Sequence, residues 1–471
     1  MQNYNNQQKG NVIFMPKRQA IAAVSTPRAA GGIAVIRISG KDSLDIAGEI
    51  FQPVSTDKSP AEMSGYTCAY GKIFDGENYV DDVVLTVFKA PRSYTGEDVA
   101  EISCHGGIFV TERILQLIFS SGARPAEAGE FTKLAFLNGK MSLTQAEAVM
   151  DIISAQGRAS HKCAAALREG ALFSRIKSVS EDLLHLLGEL AAWVDYPEDD
   201  IPEVSEENMT KTLESVLARL NETLETYDCG RILREGVDTV IVGKPNVGKS
   251  TIMNMLSGCE RSIVTDIAGT TRDIVEETVR LGDIVLRLSD TAGIRETEDI
   301  VEGVGVERAN RKLETAELIL AVFDNSDELS TEDIELVEKC RGRNAVAVIN
   351  KTDKQPKLDR NYIDTHFQYV TETAACKGEG LAQLQNVLET MFNTNSIDLS
   401  SGIIANERQR DCVKRAVSLV DEALQAVRAG ETLDAVTIIL DEAENALLEL
   451  TGERATEAVV DEIFSHFCVG K

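Results

Sequence analysis

A strand, a glycine-rich loop and the start of a helix follow one another near the middle of this 471-residue chain. The apolar run 239–242 leads into Gly-Lys-Pro-Asn-Val-Gly-Lys-Ser at positions 243–250, and residues 251–256 then favour a helix. Backbone N–H groups of such a loop converge on phosphate oxygens at the positive end of the helix. The pattern predicts an α/β P-loop domain in which Lys249 reaches the β- and γ-phosphates and Ser250 ligates Mg²⁺. The expected nucleotide contacts in this segment are Asn246, Val247, Gly248, Lys249, Ser250 and Thr251.

Two later loops indicate which nucleotide binds. The apolar run 285–289 ends in a loop in which Asp290 can hold the Mg²⁺ shell and Gly293 can sense the γ-phosphate. A second apolar run, 345–349, ends in a loop whose carboxylate can accept hydrogen bonds from guanine N1–H and the 2-amino group, which adenine cannot offer. These loops predict GTP as the ligand. Their contact residues are Asp290, Thr291, Ala292, Gly293, Asn350, Lys351 and Asp353.

Two features depart from a common GTPase. Ala374 and Cys376 stand where such proteins usually carry the serine and lysine of Ser-Ala-Lys, so backbone N–H groups are expected to bind the base there. Ile294 stands where Ras-like proteins place the glutamine that orients water. Either this chain hydrolyses GTP poorly, or another group takes the place of that glutamine and orients the water. The segments 265–273 and 296–302 supply candidates, among them Thr271 as a Mg²⁺ ligand.

The nucleotide loops, the run 265–273 and the terminal Cys-Val-Gly-Lys at 468–471 together resemble the tRNA modification GTPase MnmE (TrmE) family, from about residue 20 to the end. The resemblance implies hydrolysis that depends on K⁺, with G domains meeting in a homodimer. It implies K⁺ ligands at Asn246, Thr265, Ile267 and Thr270. It also implies catalytic roles for Glu302, which would orient water, and Arg295. The implied nucleotide contacts in the first switch are Thr265, Asp266, Ile267, Ala268, Gly269, Thr270 and Thr271.

The N-terminal segments 31–40, 95–107 and 129–140 are also similar to this family and resemble a folate-binding module. The resemblance implies 5-formyltetrahydrofolate or a related tetrahydrofolate as one-carbon donor. The implied folate contacts are Arg37, Glu101, Lys140 and Lys471. From spacing alone, Arg37 and Glu101 are better explained as strand residues with paired or solvated charges. The chain departs from the family at Glu127-Ala128 and at Ser142, which puts the local loop shape in question.

The net charge and the cysteines limit which partners and which cellular environment the chain can have. The formal net charge of −28 opposes strong unaided tRNA binding. The resemblance implies a partner, the FAD-dependent MnmG (GidA), that supplies much of the basic surface for modification of the wobble uridine. The nine cysteines lack a framework, which indicates reduced thiols in a cytoplasm, and no apolar run is long enough to span a membrane. Cys468 is either a redox or nucleophilic thiol or a structural thiol near the folate pocket.

The sequence pattern predicts a multidomain chain. We expect residues 1–19 to be a disordered extension, with Met15 an alternative start, and 20–138 to form an α+β folate-binding-like domain. We expect 139–235 and 396–471 to form one all-α domain interrupted by the GTPase domain at 236–395. Two alternatives remain: a GTP-switched assembly factor for ribonucleoproteins that performs no base chemistry, and a folate-like module that is only structural.

Overall fold

The computed structural model describes residues 19–54, 57–195, 205–258, 277–288, 313–394 and 398–471. Apart from residue 19, the predicted extension 1–19 lies outside these ranges. The chain divides into two compact units, one built from the chain up to Ser142 together with Thr456–Lys471 and the other from Leu143–Ala455. None of the helices in the described ranges combines the length and apolar character that crossing a membrane requires.

The helices of the described ranges follow in chain order. They are α1 (Ser43–Ile50), α2 (Ile108–Ser120), α3 (Glu130–Leu137), α4 (Leu143–Ser154), α5 (Arg158–Glu169), α6 (Ala171–Asp195), α7 (Glu206–Leu224), α8 (Tyr227–Glu235), α9 (Lys249–Ser257), α10 (Thr331–Cys340), α11 (Arg360–His366), α12 (Leu381–Met391), α13 (Glu407–Ala429), α14 (Leu433–Thr451) and α15 (Glu457–Ser465). Single 3₁₀ turns span Pro60–Glu62 and Ala375–Lys377.

A seven-stranded sheet organises the first unit. Its strands are β1 (Ile21–Val24), β2 (Ile33–Ser39), β3 (Phe51–Pro53), β4 (Thr67–Asp75), β5 (Asn78–Phe88), β6 (Val99–His105) and β7 (Arg124–Pro125). Their order is β3-β4-β5-β6-β2-β1-β7, and only the β1–β7 pair is parallel. Side chains alternate between the faces of a strand. The buried Ile36 and Ile38 of β2 therefore join the core that α1 and α2 cover, while Arg37 points to the opposite face.

The last helix packs in the first unit, which differs from the predicted helical domain 396–471. The α15 residue Phe464 contacts Phe136 of α3, with ring centroids 6.4 Å apart. The carbonyl oxygen of Lys471 accepts a hydrogen bond of 3.1 Å from the Phe131 N–H. Val469 pairs with Ala128 in an isolated antiparallel β-bridge. Amphipathic spacing indicates that a helix buries one face, but spacing does not identify the surface that covers it. The predicted boundary at 139 likewise lies a few residues before the division at Ser142.

The helical part of the second unit shares one core. Residues of α5, α6, α7 and α8 pack with residues of α13 and α14, which come after the nucleotide-binding sheet in the chain. On α7, Leu213, Val216 and Leu220 are fully buried, and Leu217 and Leu224 are partly buried and pack against the same core. Arg408 of α13 donates to both carboxylate oxygens of Glu147 on α4, each at 2.8 Å. This buried pair joins a helix from before the sheet to a helix from after it.

A second sheet carries the glycine-rich loop. Its strands are β8 (Val237–Val242), β9 (Glu277–Leu281), β10 (Ile284–Leu288), β11 (Leu318–Asp324), β12 (Ala345–Asn350) and β13 (Tyr369–Glu372). The order is β13-β12-β11-β8-β10-β9, with all pairs parallel except the β9–β10 hairpin. The carboxyl ends of β8, β11 and β12 therefore meet at one edge, where ligands of open α/β sheets bind.

Candidate functional site

The loop 243–248 leaves β8 through backbone conformations that favour glycine at two positions. Gly243 has φ 156°, and a Cβ there would lie 2.5 Å from the carbonyl oxygen of Val322. Gly248 has φ 102° and precedes α9, and a Cβ there would lie 2.3 Å from Asn350 Nδ2. Asn246, at the exposed tip, is left-handed with φ 63°. The two glycines are thus required by close approach as well as by backbone conformation.

Lys249 lies across this loop. Its Nζ donates to the carbonyl oxygens of Gly243 at 2.6 Å and Lys244 at 2.9 Å. Burial lowers the pKa of the Lys249 ammonium, an effect that Glu332 opposes. Phosphate oxygens at the loop would restore the environment that a charged ammonium prefers. The arrangement places the Lys249 ammonium against the glycine-rich loop, and its contact with the β- and γ-phosphates stays a prediction.

The side chain of Lys244 fixes the other side of the loop. Its Nζ lies 3.0 Å from Asp333 Oδ2 on α10 and 2.9 Å from Asp327 Oδ2. Burial acts to lower the pKa of Lys244, but hydrogen bonds to Asp327 and Asp333 raise it overall. Sequence spacing gives no signal for this anchor, because the two aspartates are more than 80 residues away.

Asn350 joins three loops at the carboxyl edge. Its Nδ2 donates to the carbonyl oxygen of Val247 at 2.9 Å, and its Oδ1 accepts from Thr373 Oγ1 at 3.1 Å and from the Ala375 N–H at 3.2 Å. Its 2 % exposure means that these partners replace water. Asn350 therefore positions the phosphate and base loops relative to each other.

Lys351 makes a second bridge from the same loop. Its Nζ donates to the Asn246 carbonyl oxygen and to Asp324 Oδ2, both at 2.6 Å. Burial acts to raise the pKa of Asp324, but hydrogen bonds from Lys351 and Ser326 lower it overall. Asp324 is not among the predicted site residues, although its place after the buried run 318–323 matches that of the other loop residues.

The last of the predicted nucleotide loops has a lysine one position after Cys376, where the lysine of Ser-Ala-Lys usually stands. Cys376 is exposed, and Lys377 follows it, with Nζ 3.8 Å from Asp353 Oδ2. The Ala375 N–H, which lies in the loop expected to bind the base through its backbone, is engaged by Asn350 in this structure. Lys377 is therefore the basic residue that faces the predicted guanine-binding carboxylate.

Two of the predicted folate residues, Arg37 and Glu101, form an ion pair beside aromatic rings in the first unit. Arg37 Nε donates to Glu101 Oε1 at 2.8 Å, across the β2–β6 pair where the two residues are in register. The guanidinium lies 5.1 Å from the ring centroid of Tyr94 and 5.5 Å from that of Phe131. The charges of Arg37 and Glu101 are thus paired, as the spacing of the two strands suggested.

The other two predicted folate residues border the same region. Lys471 binds the backbone of Phe131, whose ring faces Arg37. Lys140 is exposed, and its Nζ donates to the Pro91 carbonyl oxygen at 2.9 Å, in the loop that leads to Tyr94. Cys468 is half-exposed, and its carbonyl oxygen accepts from the Gly129 N–H at 3.3 Å. The C-terminus is therefore bound beside the predicted pocket.

Comparisons with known proteins decide the family. Residues 20–140 match the profile described as "GTP-binding protein TrmE N-terminus", and residues 143–468 match "MnmE helical domain". The tRNA modification GTPase MnmE of Clostridioides difficile (strain 630) is 41% identical over 454 residues, covering 96% of this chain and 99% of that protein. The corresponding protein of Bacillus subtilis (strain 168) is 40% identical over 457 residues, with 96% and 99% covered.

The chain belongs to the tRNA modification GTPase MnmE family. It is therefore a multidomain P-loop GTPase with a TrmE N-terminal domain and a helical domain, which confirms the resemblance drawn from its motifs. Among solved structures, Era in complex with MgGDPNP and a segment of 16S ribosomal RNA is 27% identical. That match covers 39% of this chain and 66% of the Era chain at a TM-score of 0.26.

Several residues predicted from the MnmE resemblance lie outside the described residues. These are Thr265, Asp266, Ile267, Ala268, Gly269, Thr270, Thr271, Asp290, Thr291, Ala292, Gly293, Arg295 and Glu302. The described part of the MnmE-family site thus comprises the phosphate loop, the guanine loop and the loop that follows β13.

Proposed function

We propose that this chain is a K⁺- and Mg²⁺-dependent GTP hydrolase that acts in the cytoplasm on tRNA. It works as a homodimer with an FAD-dependent partner of the MnmG (GidA) type and with a tetrahydrofolate one-carbon donor such as 5-formyltetrahydrofolate. The product is a carboxymethylaminomethyl-type group at C5 of the wobble uridine. The observation that carries the proposal is the junction at Asn350, which unites phosphate and base loops in a chain of the MnmE family.

The residues present fit the two metal ions. Asn246 is exposed at the loop tip, and its side-chain amide makes no hydrogen bond to any residue in the described ranges. An amide oxygen is a ligand that hard cations accept, and so is the hydroxyl of the exposed Ser250 on the first turn of α9. When bound, K⁺ and Mg²⁺ would offset the negative charge that develops on the phosphates in the transition state.

The chain's own residues supply binding and orientation. Lys249 holds the β- and γ-phosphates from the loop side, and the N-terminus of α9 adds backbone N–H groups. Asp353 recognises guanine through N1–H and the 2-amino group, with Lys377 beside it. Glu302 is proposed to orient the attacking water, with Arg295 from the same segment, while Thr265, Ile267, Thr270 and Thr271 complete the metal shells.

The folate donor is proposed to bind beside Arg37 and Glu101. The guanidinium suits the carboxylates of the folate tail, and the carboxylate suits the donors of the pterin ring. Tyr94 and Phe131 provide aromatic faces next to this pair, which supports a planar ligand. Lys140 and Lys471 add positive charge at the border.

Nucleoside analysis of tRNA tests the proposed function. A strain that lacks the gene is expected to lose the modified wobble uridine. The wild-type chain should restore it, and Lys249→Ala should not. Arg341→Ala, a surface change just after α10, serves as the control that restores it. An unchanged wobble nucleoside in the deletion strain would contradict the proposal and favour the assembly-factor hypothesis.

A further inference from the structure

A cleft in the second unit is lined by three basic side chains. It has a volume of about 440 Å³, and its walls are residues 155–158, His161 and Arg280. One wall is the start of α5, and the other is the β9–β10 hairpin of the nucleotide-binding sheet. Arg158 and His161 are exposed, and their side chains make no hydrogen bond or ion pair within the described part of the chain.

The charge of this cleft contrasts with that of the whole chain. The chain carries a formal net charge of −28, whereas α5 contains Arg158, Lys162 and Arg168 against the single acid Glu169. Acidic side chains are abundant in this chain, and none in the described ranges pairs with Arg158 or His161. Basic groups that cluster around an open cleft attract a polyanionic ligand.

One carboxylate lies next to the residues that line the cleft, and it has a defined partner. Asp283 Oδ1, at the tip of the hairpin, accepts a hydrogen bond of 3.2 Å from the Ala159 N–H at the start of α5. A Cβ placed on Gly157 would lie 3.6 Å from Asp283 Oδ1 and 3.7 Å from Arg280 Nε. Asp283 therefore caps the helix and fixes the two walls together, and it leaves Arg158 and His161 available to a ligand.

We propose that this cleft binds phosphates of an RNA backbone and forms part of the tRNA surface of the chain. The proposal rests on the proposed function for the identity of the RNA. Arginine offers forked donors that match phosphate oxygens, and RNA backbones supply such oxygens in series. One wall of the cleft is a hairpin whose β10 strand pairs with β8, the strand that leads into the phosphate loop, so an RNA held here contacts the nucleotide-binding sheet.

Salt-dependent tRNA binding tests the cleft. The full chain is titrated with unmodified tRNA by fluorescence anisotropy from low to moderate KCl, as wild type, Arg158→Gln and His161→Gln. We expect Arg158→Gln to weaken binding severalfold at low salt and to reduce the slope of log K against log[salt] by about one. Arg341→Gln removes another exposed arginine, just after α10, and should change neither quantity. Circular dichroism melting of each variant checks the fold.

Each alternative result has a defined meaning. An unchanged slope for Arg158→Gln, or no tRNA binding by the wild type at low salt, overturns the proposal. If inorganic phosphate binds in an Arg158-dependent way while tRNA affinity is unchanged, the cleft takes a small anion and the RNA assignment is wrong. A chain that restores the wobble nucleoside without Arg158-dependent binding leaves the proposed function intact, whereas failure of the wild type to restore it overturns that function alone.

Discussion

Asn350 Nδ2 donates a hydrogen bond of 2.9 Å to the carbonyl oxygen of Val247, so a residue of the base loop holds the phosphate loop. Both partners are buried, with exposures of 2 % and 1 %. Since Asn350 Oδ1 also accepts from Thr373 and Ala375, one side chain orders three loops. The nucleotide site is therefore a single cooperative structure, which makes its parts testable through stability as well as binding.

Asn350→Ala should lower both the stability of the chain and its affinity for the nucleotide. The change leaves the Val247 carbonyl and two donors without partners in a buried place, which costs about 1–3 kcal/mol. We expect a lower urea midpoint and GDP affinity reduced about tenfold or more. Thr352→Val, which removes one hydrogen bond of 3.1 Å to Thr373, is the control and should cost about 1 kcal/mol or less. Wild-type stability and affinity in Asn350→Ala would show that the three loops are ordered independently.

Potassium dependence follows from the proposed role of Asn246. Wild-type GTP turnover should be about tenfold or more faster in KCl than in NaCl at equal ionic strength, since one well-placed electrostatic group is worth at least that much. Asn246→Gly should remove the difference, because glycine adopts the observed φ of 63° without strain and only the amide is lost. Asn246→Asp keeps an oxygen ligand and should retain part of the response. Equal rates of wild-type GTP turnover in the two salts would contradict the proposed role of potassium.

Glu444 should make the helical core more stable at acidic pH. It is 2 % exposed on α14, its Oε1 accepts from Ser180 at 2.5 Å, and its Oε2 lacks a partner in the described ranges. Burial raises the pKa of Glu444, with Ser180 opposing. A carboxyl with a raised folded pKa contributes stability that is complete below the unfolded value of 4.5 and is lost as pH rises through the folded pKa.

Glu444→Gln isolates that contribution. The amide carries no charge, so the variant should gain about 1 kcal/mol in free energy of unfolding at neutral pH and lose part of the pH dependence above 4.5. Urea titrations at a series of pH values measure both effects. Glu442→Gln, an exposed change on the same helix, should alter neither. If the two variants behave alike, burial of Glu444 does not control its ionisation.

The local elements of the nucleotide site could be predicted from sequence because short-range patterns specify them. The apolar run 239–242 and the helix at 251–256 correspond to β8 and α9. Contacts between distant residues could not be predicted. The register that places Arg37 opposite Glu101 and the bonds from Lys244 to Asp333 depend on how the chain folds back. The surface that covers α15 could not be predicted for the same reason, since periodicity carries no information about the covering surface.

Asp353 should determine the choice of base. Replacing its carboxylate with the amide in Asp353→Asn puts a donor where guanine also presents a donor, so affinity for GTP should fall about a hundredfold. Xanthine presents a carbonyl oxygen at position 2, and affinity for XTP should rise. Competitive nucleotide titrations measure the ratio. Lys377→Ala removes the exposed cation 3.8 Å away and should change affinity less than about fivefold, because exposed pairs contribute little. Unaltered base preference in Asp353→Asn would place guanine recognition elsewhere.

Arg37 should determine folate affinity if the pocket lies where we propose. Calorimetric titration with 5-formyltetrahydrofolate should show binding to the wild type and about tenfold or greater weakening in Arg37→Ala, since a hydrogen bond to a charged group is worth about 1.5–3 kcal/mol. The ion pair with Glu101 complicates this variant, because the substitution also leaves that carboxylate unpaired. Arg37→Ala/Glu101→Gln removes both charges and separates the two effects.

The controls decide between a ligand site and a structural pair. Arg113→Ala breaks another ion pair of the same unit, with Asp75, and should leave folate affinity unchanged. If Arg37→Ala lowers stability but neither the variant nor the wild type binds folate, the ion pair of Arg37 with Glu101 is structural, as cross-strand spacing alone suggested. If folate binds equally to the wild type and the double variant, the ligand lies away from the β2–β6 strand pair, because no planar acid could contact this guanidinium without losing affinity when it is removed.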